Sequence, residues 1–115
     1  MGGVHQGEHQ LQILIDTMKY AIEIQTETKG SFKSGDYASL IDARRDTLKW
    51  IPYVTADRCD ATAEIRMYGN DGLETVEEVF YDTDRKRFIS NDIGSSVRYW
   101  VSPSGQRYAD TKVLI

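Results

Sequence analysis

Apolar residues follow two different periods along the chain, and the period changes near Ala61. Before that point they recur at helical spacing, as in the set Leu11, Leu14, Ile15, Met18 and Ile22. From Ala61 to Met67 they alternate with polar residues, as in a half-buried strand. The pattern therefore predicts helices in the N-terminal half and strands in the C-terminal half.

Two helices are predicted in the N-terminal half. The first covers residues 9–27. Gly30, just after it, is suited to a left-handed C-cap. The second covers residues 36–49 and stops before Pro52, which disfavours helix in the residue before it. Residues 47–54 also fit a strand, because several of them are aromatic or β-branched. The sequence leaves that stretch open between helix and strand.

Five strands are predicted from residue 61 onwards, separated by clusters of turn-forming residues. Stretches 80–88 and 100–108 share an apolar entry, a turn cluster and an exit of Arg followed by an aromatic, which is typical of hairpins in series. The Glu77–Glu78 pair interrupts the alternation and predicts a bulge. We therefore predict an α+β fold, with two N-terminal helices packed on a five-stranded antiparallel β-meander.

Composition indicates a single globular domain over residues 9–115, preceded by a flexible, Gly-rich leader over residues 1–8. The net charge of -4 disfavours general binding to nucleic acid, which needs a concentrated positive surface. Cys59 is the single cysteine, so no internal disulfide can form, and a cytoplasmic location is expected. The longest apolar runs are too short for a membrane span, so no membrane association is expected.

Alternation along the predicted strands places aromatic and basic side chains together on the sheet face away from the helices. If Ala63 and Ile65 face the helices, Arg66 and Tyr68 face away. Aromatics beside Arg are typical of interfaces and anion sites, although strand propensity alone also places such residues on open sheets. The predicted binding residues are Arg66, Tyr68, Phe80, Arg98 and Trp100, extended at one edge by Arg87 and Arg107.

The sequence favours a small non-catalytic binding protein that captures a protein partner or an anionic small molecule on this face or at a subunit interface. A homo-oligomer is expected, because the first predicted helix is apolar on two flanks. We expect neither a cofactor nor a metal. The stretch from His5 to His9 spells H-x-x-E-H, but it lies at the extreme N-terminus with Gly7 inside it and no further histidine elsewhere.

The alternative is an enzyme with an internal cavity. The stretch Gly35-Asp36-Tyr37-x-x-Leu40, after a long first helix and ahead of a meander, is similar to the cone-shaped NTF2-like fold. That resemblance implies a cavity between helices and sheet. An inward carboxylate such as Asp42 or Glu77 would then act as acid or base, with its pKa raised by burial.

Overall fold

The computed structural model describes residues 19–69 and 72–109, which form one helix and one seven-stranded antiparallel sheet. The helix, α1, covers Leu40–Val54. The strands are β1 Tyr20–Thr26, β2 Gly30–Tyr37, β3 Ala61–Gly69, β4 Gly72–Asp82, β5 Arg87–Asp92, β6 Tyr99–Val101 and β7 Arg107–Ala109. Their order across the sheet is β2-β1-β3-β4-β5-β6-β7.

The predicted first helix is wrong wherever the structure tests it. Tyr20–Thr26 is strand β1, in which the buried Ile22 and Ile24 alternate with Glu23 and Gln25. In a helix these two isoleucines would lie on two different flanks, whereas in a strand they share one face, and pairing with β2 and β3 on either side selects the strand. The remainder of that predicted helix and the leader over residues 1–8 lie outside the described residues.

The second predicted helix is present but shifted along the chain. Strand β2 continues to Tyr37, and the Ser39 hydroxyl then caps α1 by accepting a hydrogen bond from the Asp42 N–H at 3.1 Å. The helix continues through Pro52 and ends at Val54, so residues 47–54 are helical. Pro52 lies in the last turn of α1 and has no N–H to donate to the Leu48 carbonyl, so α1 lacks one backbone hydrogen bond there. No helix in the described ranges is long and apolar enough to span a bilayer.

The predicted fold class, two helices on a five-stranded meander, is therefore wrong. The strands predicted after residue 61 are present as β3 to β7, each antiparallel to the next. The difference lies before them, where a β1–β2 hairpin replaces the first helix. Both β2 and β3 run antiparallel to β1 and flank it, so α1 crosses one face of the sheet between them.

The core lies between α1 and that sheet face. Ala43, Thr47 and Ile51 recur every four residues on the helix and are fully buried. They face the buried strand residues Ile22, Ile24, Ala61, Ala63, Ile65 and Val79. Small residues on both sides of this contact alternate with the isoleucines, which is how facing layers interdigitate.

A bulge in β4 decides which residues face the helix. The pairing with β3 shifts between Ile65 and Arg66, which leaves Val76 without a cross-strand partner. Beyond the shift, Glu77, Val79 and Tyr81 take the helix side of the sheet, and Phe80 takes the opposite side. The bulge therefore brings two apolar residues inward together with one carboxylate.

The carboxylate of Glu77 is 1 % exposed and is held by three side chains. Its Oε2 accepts hydrogen bonds from Arg44 Nε at 2.8 Å and from the Ser90 hydroxyl at 2.5 Å. Its Oε1 lies 3.5 Å from Arg107 Nη1. Because the side chain of Arg44 is also buried, the two charges compensate each other in the same low-dielectric space. This buried network joins α1 to strands β4, β5 and β7.

Glu77→Gln tests the weight of the network. The change leaves Arg44 buried without its counter-charge, so we expect the free energy of unfolding to fall by about 3–5 kcal/mol. Glu78→Gln is the matched control, since Glu78 is the neighbouring carboxylate on the other sheet face and should change stability by less than about 0.5 kcal/mol. Urea unfolding measures both variants. Equal stability of the two variants would show that the network is not structurally important.

Candidate functional site

Three residues of the predicted patch meet on the sheet face away from α1. Phe80 pairs with Ile89, which pairs with Trp100, which pairs with Tyr108, so the four form a row across the strands. The guanidinium of Arg98 lies 5.6 Å from the Phe80 ring centre. The rings of Trp100 and Tyr108 stack at 4.5 Å. Tyr108 was not among the predicted site residues, although the β6–β7 hairpin turn sets it opposite Trp100.

Arg66 and Tyr68 lie apart from that row. They line a separate pocket of about 240 Å³ beside β1 and β2. Arg66 Nη2 contacts Glu23 at 3.0 Å and Glu64 at 2.9 Å, so two carboxylates neutralise its charge. A cation paired in this way attracts a further anion only weakly.

Arg107 lies on the helix side of the sheet and belongs to the buried network. Its Nη1 contacts Asp92 at 3.0 Å as well as Glu77, and its guanidinium lies 3.9 Å from the Tyr99 ring centre. These contacts fix Arg107 between strands and make its role structural.

A groove at the ends of strands β4 to β6 is lined by α1, by Phe88 and Val101 on the helix side of the sheet, and by Trp100 on the opposite side. We call it the basic groove; its volume is about 590 Å³. Five basic residues line it: Arg45, Lys49, Arg58, Lys86 and Arg87. The other lining residues are Leu48, Tyr81, Phe88, Trp100, Val101 and Pro103. Among the residues that the structure describes, no carboxylate lines this groove. Of the predicted site residues, Arg87 and Trp100 belong to it.

Aromatic rings hold two of these cations in position. The guanidinium of Arg58 lies 4.3 Å from the Tyr81 ring centre, and that of Arg87 lies 5.4 Å from the Trp100 ring centre. Both distances are within the range of a cation–π contact. Tyr81 is in turn packed edge-on against Phe88 at 5.1 Å. The rings orient the guanidinium groups and leave their charge in place.

The cations of the groove are mostly free of carboxylates. Arg45 pairs with Asp42 one helical turn earlier. Within residues 19–69 and 72–109, the other four, Lys49, Arg58, Lys86 and Arg87, form no ion pair. An anion entering the groove therefore meets charges that no neighbouring carboxylate neutralises.

The β4–β5 turn that carries Lys86 and Arg87 is organised by Asp82. One carboxylate oxygen accepts hydrogen bonds from the N–H groups of Asp84 at 2.9 Å and Arg85 at 3.2 Å. Hydrogen bonds hold the pKa of Asp82 below its usual value. The Arg85 N–H contributes most, and the Arg85 side chain and the Asp84 N–H contribute less. Lys86 takes a left-handed conformation with φ of 56°, which completes the turn. The two cations therefore sit on a fixed turn.

The β6–β7 turn contributes Pro103 to the groove and is docked on α1 through Gly105. A Cβ atom at position 105 would lie 2.4 Å from the Ile41 carbonyl oxygen and 3.0 Å from the Arg45 N–H nitrogen. The Gly105 carbonyl also accepts a hydrogen bond from Arg44 Nη1 at 3.2 Å. Only glycine allows this close approach, which sets the distance between the helix and the turn.

The residues proposed for an enzyme do not form a catalytic arrangement. Glu77 is bound by two arginines and a serine, and it lines neither the pocket beside β1 and β2 nor the basic groove. Asp42 lies in the exposed first turn of α1 and pairs with Arg45. Partial desolvation and the neighbouring Asp57 raise the pKa of Cys59, which disfavours a reactive thiolate. Both proposed carboxylates are therefore paired with arginine.

Sequence reasoning missed four of the five groove cations, namely Arg45, Lys49, Arg58 and Lys86. A signal was present, because Arg45 and Lys49 are four residues apart and share one flank of the predicted second helix. Their convergence with Lys86 could not be read from the sequence, since it depends on how α1 lies across the sheet.

Gly105→Ala should weaken the docking of the β6–β7 turn on α1. Gly94→Ala is the matched control, because Gly94 has a similar φ of 84° but open space around its Cβ position. Both changes cost backbone strain, and only the first adds a clash. We expect Gly105→Ala to lower the free energy of unfolding by about 1–3 kcal/mol more than Gly94→Ala. Thermal unfolding measures the difference, and equal losses would contradict the docking contact.

Asp82→Asn should change how stability depends on pH. The pKa of Asp82 is lower in the folded than in the unfolded chain, so its stabilisation is present above about pH 4 and is lost as the pH falls through the folded value. We expect urea unfolding to show Asp82→Asn less stable than wild type at neutral pH, with the gap closing in acid. Asp84→Asn, in the same turn, is the control. A gap that is constant with pH would contradict this role.

The chain has no match among protein-family models, curated proteins or solved structures. We therefore infer its function from the contacts, distances and charges of its own residues.

Proposed function

We propose that the protein binds, without catalysis, an anionic ligand that carries an apolar or aromatic body, and that it does so in the basic groove. One observation carries this proposal: five cations line a single groove whose described lining contains no carboxylate, in a chain of net charge -4. In such a chain, carboxylates are available to neutralise cations, as Glu23 and Glu64 do for Arg66. The basic groove is the exception, and we place the ligand there.

The arginines of the groove suit oxygen anions. A guanidinium group presents a planar fork of donors that matches carboxylate and phosphate groups. Arg58 and Arg87 are held by ring faces, so less side-chain entropy is lost when they bind. Lys49 and Lys86 add charge from the helix and from the β4–β5 turn.

The apolar residues of the groove add the second element of recognition. Leu48, Phe88 and Val101 give it a hydrophobic floor between the two basic walls. A volume near 590 Å³ is within the usual range of ligand pockets, about 300–1,000 Å³. Burial of an apolar group contributes about 25 cal/mol per Å², which exposed cations alone would not supply. A purely ionic ligand such as inorganic phosphate would leave this floor unused.

Self-association and a cytoplasmic location stay predictions. A homo-oligomer was predicted because the first predicted helix has two apolar flanks. Residues 20–26 form strand β1 instead. Tyr108 is the exposed residue of the row across strands β4 to β7, whereas Ile89 in the same row is fully buried, so this row offers only a small surface for self-association. Cys59 is an exposed free thiol, which suits a reducing compartment.

Lys86→Asn tests the basic groove with the anionic aromatic dye anilinonaphthalenesulfonate. Asn tolerates the left-handed conformation of position 86, so the turn should persist while its charge is removed. We expect the dissociation constant of the dye to rise about two- to fivefold, as for the loss of one exposed charge pair. Fluorescence titration measures it, and the difference from wild type should shrink in high salt.

Lys29→Asn is the control for that titration, because Lys29 is an exposed cation in the β1–β2 turn and lies outside the groove. Its dissociation constant should match that of wild type. The proposal fails if the dye binds wild type and Lys86→Asn equally, or if it does not bind at all.

A further inference from the structure

We infer that the natural ligand of the basic groove is an acidic peptide segment of another protein, with one large apolar side chain seated on the groove floor. The inference rests on the proposed function and adds the class of ligand. Three observations support it: the groove cations come from separate parts of the chain, exposed residues on α1 extend beyond the groove, and the groove is positively charged.

The cations of the groove come from three separate parts of the chain. Arg45 and Lys49 are one turn apart on α1, Arg58 belongs to the turn before β3, and Lys86 and Arg87 end the β4–β5 turn. The lining therefore offers charges from the helix, from the segment before β3 and from the β4–β5 turn. Carboxylates spaced along a peptide can contact several together, and each adds a small increment.

An exposed stripe on α1 continues the basic groove at both ends. Ile41, Arg45, Lys49 and Tyr53 follow one another every four residues and therefore lie on one flank of the helix. Ile41 is 42 % exposed and Tyr53 is 76 % exposed. The distance between them along the helix is about 18 Å at 1.5 Å per residue. A small molecule seated in the groove would reach neither end, whereas an extended or helical peptide would reach both.

The stripe offers both kinds of contact that the inferred ligand needs, cations for its acidic residues and apolar surface beside them. Two cations lie in its middle, and one apolar residue lies at each end. Exposed aromatic and aliphatic residues beside arginine are typical of protein interfaces. Tyr53 is anchored at the helix end by Trp50, whose ring centre is 5.7 Å away and which packs on Phe32 at 5.2 Å. The exposed ring is therefore presented on a rigid support.

A random peptide library selected against the full chain tests the inference. We expect selected peptides to be enriched in Asp and Glu around one aromatic or large aliphatic residue. Fluorescence anisotropy with a labelled selected peptide should show affinity reduced about two- to fivefold by Lys86→Asn and by Tyr53→Ala, and unchanged by Lys29→Asn. Tyr53→Ala should leave the binding of anilinonaphthalenesulfonate unchanged, because Tyr53 lies outside the groove lining.

The alternative outcomes separate this inference from the proposed function. If the dye or tripolyphosphate binds in a Lys86-dependent manner and no acidic peptide is enriched, the peptide inference is overturned and anion binding stands. If light scattering shows a dimer that Lys86→Asn dissociates, the occupant is a second copy of this chain, and the inference is likewise overturned. If no anion binds, both fail.

Discussion

The buried carboxylate of Glu77 is the constraint on which the rest of the structure depends. The β4 bulge at Val76 turns Val79 and Tyr81 toward α1, and it turns Glu77 inward with them. A buried carboxylate is costly unless its oxygens are bonded and its charge is matched. Arg44, Ser90 and Arg107 supply both conditions, and they come from α1, β5 and β7. Satisfying one charge therefore fixes the helix against three strands.

The same network also shapes the basic groove. Arg44 uses Nε to bind Glu77 and Nη1 to bind the Gly105 carbonyl, so it fixes the β6–β7 turn as well as the sheet. The next residue, Arg45, faces the groove. Adjacent arginines on α1 thus differ in burial: Arg44 is buried in the network with Glu77, whereas Arg45 is exposed at the groove and pairs with Asp42. The buried contacts of α1 with the sheet set the width of the groove. The exposed basic residues of its lining set its charge.

The C-terminal strands could be predicted from the sequence, while the N-terminal half could not. From Ala61 onward the period of two dominates, with one interruption at Glu77–Glu78 that itself predicts the bulge, and turn residues mark each strand end. In Tyr20–Thr26, Ile22 and Ile24 would lie on two flanks of a helix but share one face of a strand, and pairing with β2 and β3 selects the strand. The site shows the same limit. Of the residues that line the basic groove, the sequence singled out Arg87 and Trp100 because they belong to the hairpins, whereas Arg45, Lys49 and Arg58 meet them only through tertiary packing.

The arginines that hold the fold together and those of the basic groove differ in the partners they contact. Arg44, Arg66 and Arg107 are each bound by carboxylates, which neutralise them. Arg58 and Arg87 are held instead by Tyr81 and Trp100. A ring face restrains a guanidinium group as a carboxylate does, but it leaves the positive charge and the edge donors available. Both kinds of contact contribute about 1 kcal/mol or less at an exposed site, so ring contacts restrain these arginines without a loss of stability and keep their charge available. Ring-held, unneutralised arginines are what an anion-binding groove requires, since the ligand supplies the missing charge.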